Sequence, residues 1–175
     1  MSYLMGIDLG TSSTKTLIID TAGRTAGIGT AGYGIQIPQI SWAEQDPGEW
    51  WEAVKTSIRR AMEKAGVSGP EIMGIGFSGQ MHGMVALDAD KKLVCPAIIH
   101  LDQRSSEDLE EIRTLAGNLM REELLNQPSA GMMISTVYWL KKHQPRVYGR
   151  IRYVLSPKDY IIFRLCGEIG AEYTD

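Results

Sequence analysis

Tyr3-Leu4-Met5-Gly6-Ile7-Asp8-Leu9-Gly10-Thr11-Ser12-Ser13-Thr14-Lys15, followed by Thr16-Leu17-Ile18-Ile19, decides the fold and points to the chemistry. An apolar run closes on an acidic residue, a small hydroxyl-rich stretch follows, and a second apolar run returns. The pattern predicts strand, polar turn, strand. Backbone N–H groups, the hydroxyls of Thr11, Ser12 and Ser13, the bare backbone of Gly10 and the Lys15 ammonium can gather around an anion there. Asp8 at the strand end can hold a magnesium ion beside that anion, directly or through water. Such a set grips the phosphates of a nucleotide, so phosphoryl transfer is the first hypothesis. A structural turn competes for Asp-x-Gly alone, but the run from Gly10 to Thr14 is longer than a hairpin turn needs. A Walker loop is excluded, because its Gly-Lys-Ser/Thr ending is missing and a strand follows in place of a helix.

Outward from that hairpin, Asp20-Thr21-Ala22-Gly23-Arg24 reads as a turn into a third strand, residues 25 to about 36. Three neighbouring strands with short turns make an antiparallel meander. Residues 38–45 connect it to a helix whose start is well marked. Asp46 suits the N-cap, Pro47 the first helical position and Glu49 the capping-box position. Trp51, Val54, Ile58 and Met62 follow at helical spacing as one buried stripe, and Gly66 ends the helix. Residues 72–77 read as a buried strand returning to the sheet, so the fold class is α/β with helices on a mixed sheet. A hairpin then joins residues 84–87 to 93–99. Helical faces carry Leu109, Ile112 and Ala116, then Met133, Val137 and Leu140; Pro157 opens a last helix that runs to about Cys166.

Two further strings carry chemistry. Phe77-Ser78-Gly79-Gln80-Met81-His82-Gly83 follows a strand, at the end of an α/β sheet where ligands collect. Its glycines let backbone approach a small ligand, and Gln80 and His82 can hydrogen-bond the hydroxyls of a polyol or sugar. A satisfied turn histidine is the plain alternative for His82. In His100-Leu101-Asp102-Gln103-Arg104, Asp102 and Arg104 point the same way if the segment is extended, a carboxylate for hydroxyls with a guanidinium beside it. The competing reading there is an ordinary ion pair near a helix start.

Bulk properties set the limits. With 175 residues and 43% hydrophobic content the chain can bury a core and is expected to form one domain. Net charge is −3 with the signs interspersed, which disfavours nucleic acid, and no long apolar stretch predicts a membrane span or leader. Cys95 and Cys166 match no metal spacing and read as free buried thiols of a reducing cytoplasm.

Together the strings resemble the N-terminal part of the FGGY carbohydrate kinases, and among them the pentulose kinases. The resemblance rests on Gly6-Ile7-Asp8-Leu9-Gly10-Thr11-Ser12 with Lys15, Trp42-Ala43-Glu44-Gln45-Asp46-Pro47, and Gly79-Gln80-Met81-His82-Gly83. Asp102-Gln103-Arg104, Pro157-Lys158-Asp159-Tyr160 and Thr174-Asp175 complete it. It implies the ribonuclease H-like, or actin-like ATPase, fold, with the chain as one of two domains flanking a cleft. It implies ATP and Mg2+ as cofactors and a ketose such as D-xylulose as substrate. Asp8 would position the metal and the transferred phosphoryl group, Gly10, Thr11, Ser12, Ser13 and Lys15 would face the γ-phosphate, and Gln80, Met81 and His82 would meet the sugar. Asp102 and Arg104 match a pattern near the sugar pocket.

Three departures from the family pattern stand out. His100 replaces a usual Trp, Thr136 replaces a usual Lys, and the general base and ATP-binding domain would lie beyond Asp175. The first two leave another ketose or gluconate open. The third implies that these residues alone do not turn over, and that apolar surface left uncovered favours self-association, including a homodimer. A non-catalytic sugar-binding module and an ATPase or phosphatase of the same superfold are the readings from other classes. The sugar turn speaks against the second of these.

Overall fold

A computed structural model describes residues 2–123 and 125–171; the Thr174-Asp175 pair of the resemblance lies outside them. In chain order the strands and α-helices are β1 (Tyr3–Leu9), β2 (Ser13–Asp20), β3 (Thr25–Gly32), β4 (Glu44–Gln45), α1 (Pro47–Ala65), β5 (Ile72–Gly79), β6 (Val85–Leu87), β7 (Ala97–Ile98), α2 (Leu109–Glu123), α3 (Met133–His143), α4 (Pro145–Tyr148), β8 (Tyr153–Leu155) and α5 (Pro157–Cys166). They fall into two compact units. The first takes residues up to Gly34 with Asp46–Gln80 and Pro157–Gly170, and the second Ile35–Gln45, Met81–Ser156 and Ala171. No helix among the described residues is long and apolar enough to cross a membrane.

The first unit is built on a four-stranded sheet of order β3-β2-β1-β5. β1 and β2, and β2 and β3, pair antiparallel as the predicted meander, while β5 returns through α1 to lie parallel to β1. Strand alternation turns Met5, Ile7 and Leu9 into the core and leaves Leu4, Gly6 and Asp8 on the other face. Burying Ile18 and Val54 completely contributes about 1.5–3 kcal/mol each.

α1 begins and ends where the sequence predicts. Asp46 accepts from the Gly48 N–H at 2.7 Å, and Gly66 closes the helix at φ 66°. Its buried stripe differs from the expected one: Trp50, Ala53, Val54, Ser57 and Ala61 face inward, while Trp51, Ile58 and Met62 are half-buried. Backbone approach explains the rotation. A Cβ at Gly29 would stand 2.0 Å from the Ser57 carbonyl oxygen, and one at Gly27 2.3 Å from that of Ala61. The helix therefore rests on bare strand backbone, where only small residues fit. Ser57 and Thr16 use the proximity for a buried hydroxyl pair at 2.7 Å. Trp51 instead lies under the Arg164 guanidinium, 4.8 Å from its ring centre, and joins α1 to α5.

Three boundaries change as well. β3 stops at Gly32, opposite Ser13 where β2 begins, although the Tyr33 N–H still reaches the Ser12 carbonyl of the turn at 3.1 Å. β5 is an edge strand, so Met73 and Ile75, expected to be buried, are exposed. Cys166 also is exposed and Cys95 half-buried; burial, and next Glu44, push the Cys95 thiol up to about 11.

In the second unit, β4 pairs with β7 and β6 with β8, both antiparallel. The predicted hairpin survives as isolated bridges, Met84 to Ile98 and Leu87 to Leu93, around an Asp88 carboxylate that accepts from the N–H groups of Asp90 and Lys92. Pro96 has no N–H for a ladder, and β6 takes the distant β8 as its main partner. Met84, Ala86, Ile98, Trp139 and Leu140 form the core of this unit.

Candidate functional site

In the first unit the hydroxyl-rich run is a tighter turn than its length predicts. The Gly10 N–H donates to the Ser13 carbonyl at 3.0 Å, so Thr11 and Ser12 alone make the bend. Ser13, Thr14 and Lys15 already belong to β2. Thr14 points to the helix side, fully buried, and its hydroxyl donates to the Asp8 carbonyl at 3.1 Å. Asp8 and Lys15 are exposed and stand opposite each other in the β1–β2 register, with Ser78 opposite Asp8 on the β5 side. Asp8, Lys15 and Ser78 line one end of a depression of about 410 Å³ whose rest is Gly6, Leu17, Gly76 and neighbouring backbone. A carboxylate, an ammonium and a hydroxyl thus share a glycine-floored surface at the carboxyl end of β1. That arrangement can hold an anion and a cation side by side.

Gln80 closes this unit. Its N–H donates to the Leu9 carbonyl at 2.7 Å, which extends the β1–β5 ladder and sets Gln80 one residue beyond Asp8's own strand end. Gly79 eases this approach, since a Cβ would stand 3.2 Å from both the Leu9 carbonyl oxygen and the Lys158 Cβ, tighter than ordinary contact.

Sequence reasoning missed Tyr33. Its hydroxyl donates to the Gly10 carbonyl, and its ring lies 6.5 Å from that of fully buried Trp50. Burial, and next the Asp8 carboxylate, hold its phenol well above the ordinary range, so the hydroxyl keeps its proton as a donor. A lone Tyr after a strand carries no motif; only the tertiary fold brings it to the turn.

In the second unit, Met81 is 58% exposed and His82 half-buried. His82, and not either bracketing glycine, takes the left-handed backbone, φ 64°. That conformation costs a residue with a side chain roughly 1–2 kcal/mol, and such outliers cluster at binding sites. His100 is half-buried with its Nδ1 enclosed; burial, and next His82, hold it below the usual imidazole range. Gly131, at φ 80°, lets its own chain press on the His100 carbonyl, where a Cβ would stand 2.1 Å away.

Asp102 and Arg104 do come together, but what they hold is protein. Asp102 is 1% exposed and accepts from the Ala43 N–H at 2.6 Å and from Arg104 through both oxygens, each at 2.9 Å. Arg104 also donates to Glu44 at 2.7 Å, and its guanidinium stacks 3.7 Å over Trp42 and 5.3 Å from Trp139. The extended pair expected from the sequence is in fact a bent loop that ties the segment of Trp42 to that of Trp139. Among the described residues no group of three or more His, Cys, Asp and Glu gathers to hold a metal unaided.

The sheet of the first unit, an antiparallel meander with a crossover helix to a parallel fourth strand, is that of the actin-like ATPase fold. The chain matches the N-terminal domain of the FGGY family of carbohydrate kinases over residues 3–175 and belongs to that family. A xylulose kinase of Lactococcus lactis is 35% identical over the whole chain, which spans 35% of that protein's length. The solved structure of a ligand-bound xylulose kinase from Lactobacillus acidophilus is 27% identical with a TM-score of 0.87, over 97% of this chain and 34% of that one. A gluconate kinase from the same species is 26% identical with a TM-score of 0.85, over 96% of this chain and 34% of its own. The chain thus spans about a third of the proteins it matches.

Proposed function

We propose that the full-length protein carrying this domain is an ATP-dependent kinase that phosphorylates a ketose, D-xylulose foremost. One observation carries the reading: Asp8, next to last in β1, has Lys15 and Ser78 in register on either side, and the Gln80 N–H bonds the adjoining Leu9. A phosphoryl group needs charge neutralised and oxygens positioned, and this surface offers both. Thr11 and Ser12 of the turn, with Lys15, meet the γ-phosphate; Gln80, Met81 and His82 meet the sugar. The Asp8 carboxylate would hold a Mg2+, an ion commonly bound through only one or two protein carboxylates. When bound, that ion neutralises charge developing on the transferred group.

The chain's own residues then work by placement and electrostatics. Lys15 and the turn amides stabilise charge on the equatorial oxygens, and the sugar turn aligns a primary hydroxyl for in-line attack. The base that takes the hydroxyl proton is expected beyond residue 175. Residues 1–175 alone are therefore expected to show no turnover with ATP, magnesium and D-xylulose in a coupled assay, against about 1–100 s⁻¹ for an intact kinase. Activity in that range from this chain alone would refute the division of labour.

The sugar turn has its own test. His82→Ala in the full-length enzyme should raise KM for the sugar roughly tenfold or more, the worth of one good hydrogen bond in a desolvated site, and leave KM for ATP nearly unchanged. An equal rise in both would remove His82 from the sugar site. Gluconate is the second substrate to assay, since His100 replaces the family's usual Trp and a gluconate kinase shares the fold.

A further inference from the structure

Four hydrogen bonds lock the turn that follows Asp8. The Gly10 N–H donates to the Ser13 carbonyl at 3.0 Å, and the Thr14 hydroxyl to the Asp8 carbonyl at 3.1 Å. The other two come from one residue, Tyr33: its N–H reaches the Ser12 carbonyl at 3.1 Å and its hydroxyl the Gly10 carbonyl. A peptide group is planar and trans, so fixing a carbonyl fixes the N–H of the next residue in the opposite direction. By holding the Gly10 carbonyl, the Tyr33 hydroxyl therefore sets where the Thr11 N–H points. The bend itself contains only Thr11 and Ser12.

We propose that Tyr33 is a positioning residue for phosphoryl transfer, whose hydroxyl holds the Gly10–Thr11 peptide so that the turn presents a preformed face to the γ-phosphate. The inference rests on the reading of Asp8 and this turn as the phosphate site. Preformed donors stabilise a transition state because nothing needs to reorganise as charge moves. Tyr33 has the rigidity that such a role requires. Its ring is anchored beside Trp50, its backbone is tied to the same turn, and a stiff phenol spans the gap between them.

Tyr33→Phe in the full-length kinase keeps the ring and removes only the hydroxyl. It should lower kcat roughly tenfold, the effect of about 1.4 kcal/mol on a barrier, with KM for the sugar within roughly twofold and the thermal midpoint lowered by no more than about 2–4 °C, the worth of one hydrogen bond. Unchanged kcat, or a loss that falls equally on kcat and on sugar KM, overturns the assignment. Asp8→Asn measured beside it separates the two layers. If Asp8→Asn abolishes turnover and Tyr33→Phe is silent, Tyr33 alone is misassigned. If Asp8→Asn turns over normally, the phosphate-site reading fails and this inference with it.

Discussion

Asp8→Asn in the full-length enzyme is expected to lower kcat by roughly 10³-fold, the upper end of what one lost electrostatic contact costs at a transition state. The substitution is isosteric and the position exposed at the end of β1, so folding should survive. What disappears is a negative charge beside Lys15 and Ser78, and with it the carboxylate suited to a magnesium ion. Sugar binding, followed by intrinsic fluorescence or calorimetry, should stay within roughly twofold, because the Gln80 N–H is held by the Leu9 carbonyl. A variant that binds sugar normally and also turns over normally would strip Asp8 of its role.

The second large effect falls on stability. Arg104→Met in the full-length protein should cost about 3–5 kcal/mol in urea unfolding, as expected when one partner of a buried ion pair is removed. The Arg104 side chain is 2% exposed, as is that of Asp102, and Glu44 is 12% exposed. Without the guanidinium, two carboxylates remain in a site sealed by Trp42 and Trp139. Arg104→Lys should recover only part of the loss, since an ammonium cannot bond both Asp102 oxygens and stack on Trp42 together. A cost below about 1 kcal/mol, typical of exposed pairs, would show that the cluster is not the brace it looks like. The same brace runs on through Trp139, stacked 5.2 Å from His143, whose Nε2 lies 2.8 Å from Asp108.

Local signals made much of this legible in the sequence. The meander, the α1 caps at Asp46 and Gly66, and the acidic strand end all arise from residues close together in the chain, where pattern and geometry coincide. Contacts between distant segments were not legible. The α1 stripe rotated because Gly27 and Gly29, far earlier in the chain, admit the helix backbone itself. β6 left its hairpin for β8, with Pro96 on one side and a distant partner on the other. Asp8 and Lys15, singled out by the pattern, do stand opposite each other, whereas the Tyr33 bond to the turn depends on where β3 ends and carries no local signal. The spacing of Asp102 and Arg104 announced their partnership, while their burial against Ala43, Glu44 and Trp42 could not be read from spacing.

The most direct measurement is a crystal structure of the full-length protein with magnesium, a non-hydrolysable ATP analogue and D-xylulose. The γ-phosphoryl group and its ion are expected against the Asp8 carboxylate and the Thr11-Ser12 bend, with the ketose held by Gln80 and His82. Density that puts the triphosphate elsewhere, or the sugar away from that turn, would contradict this assignment.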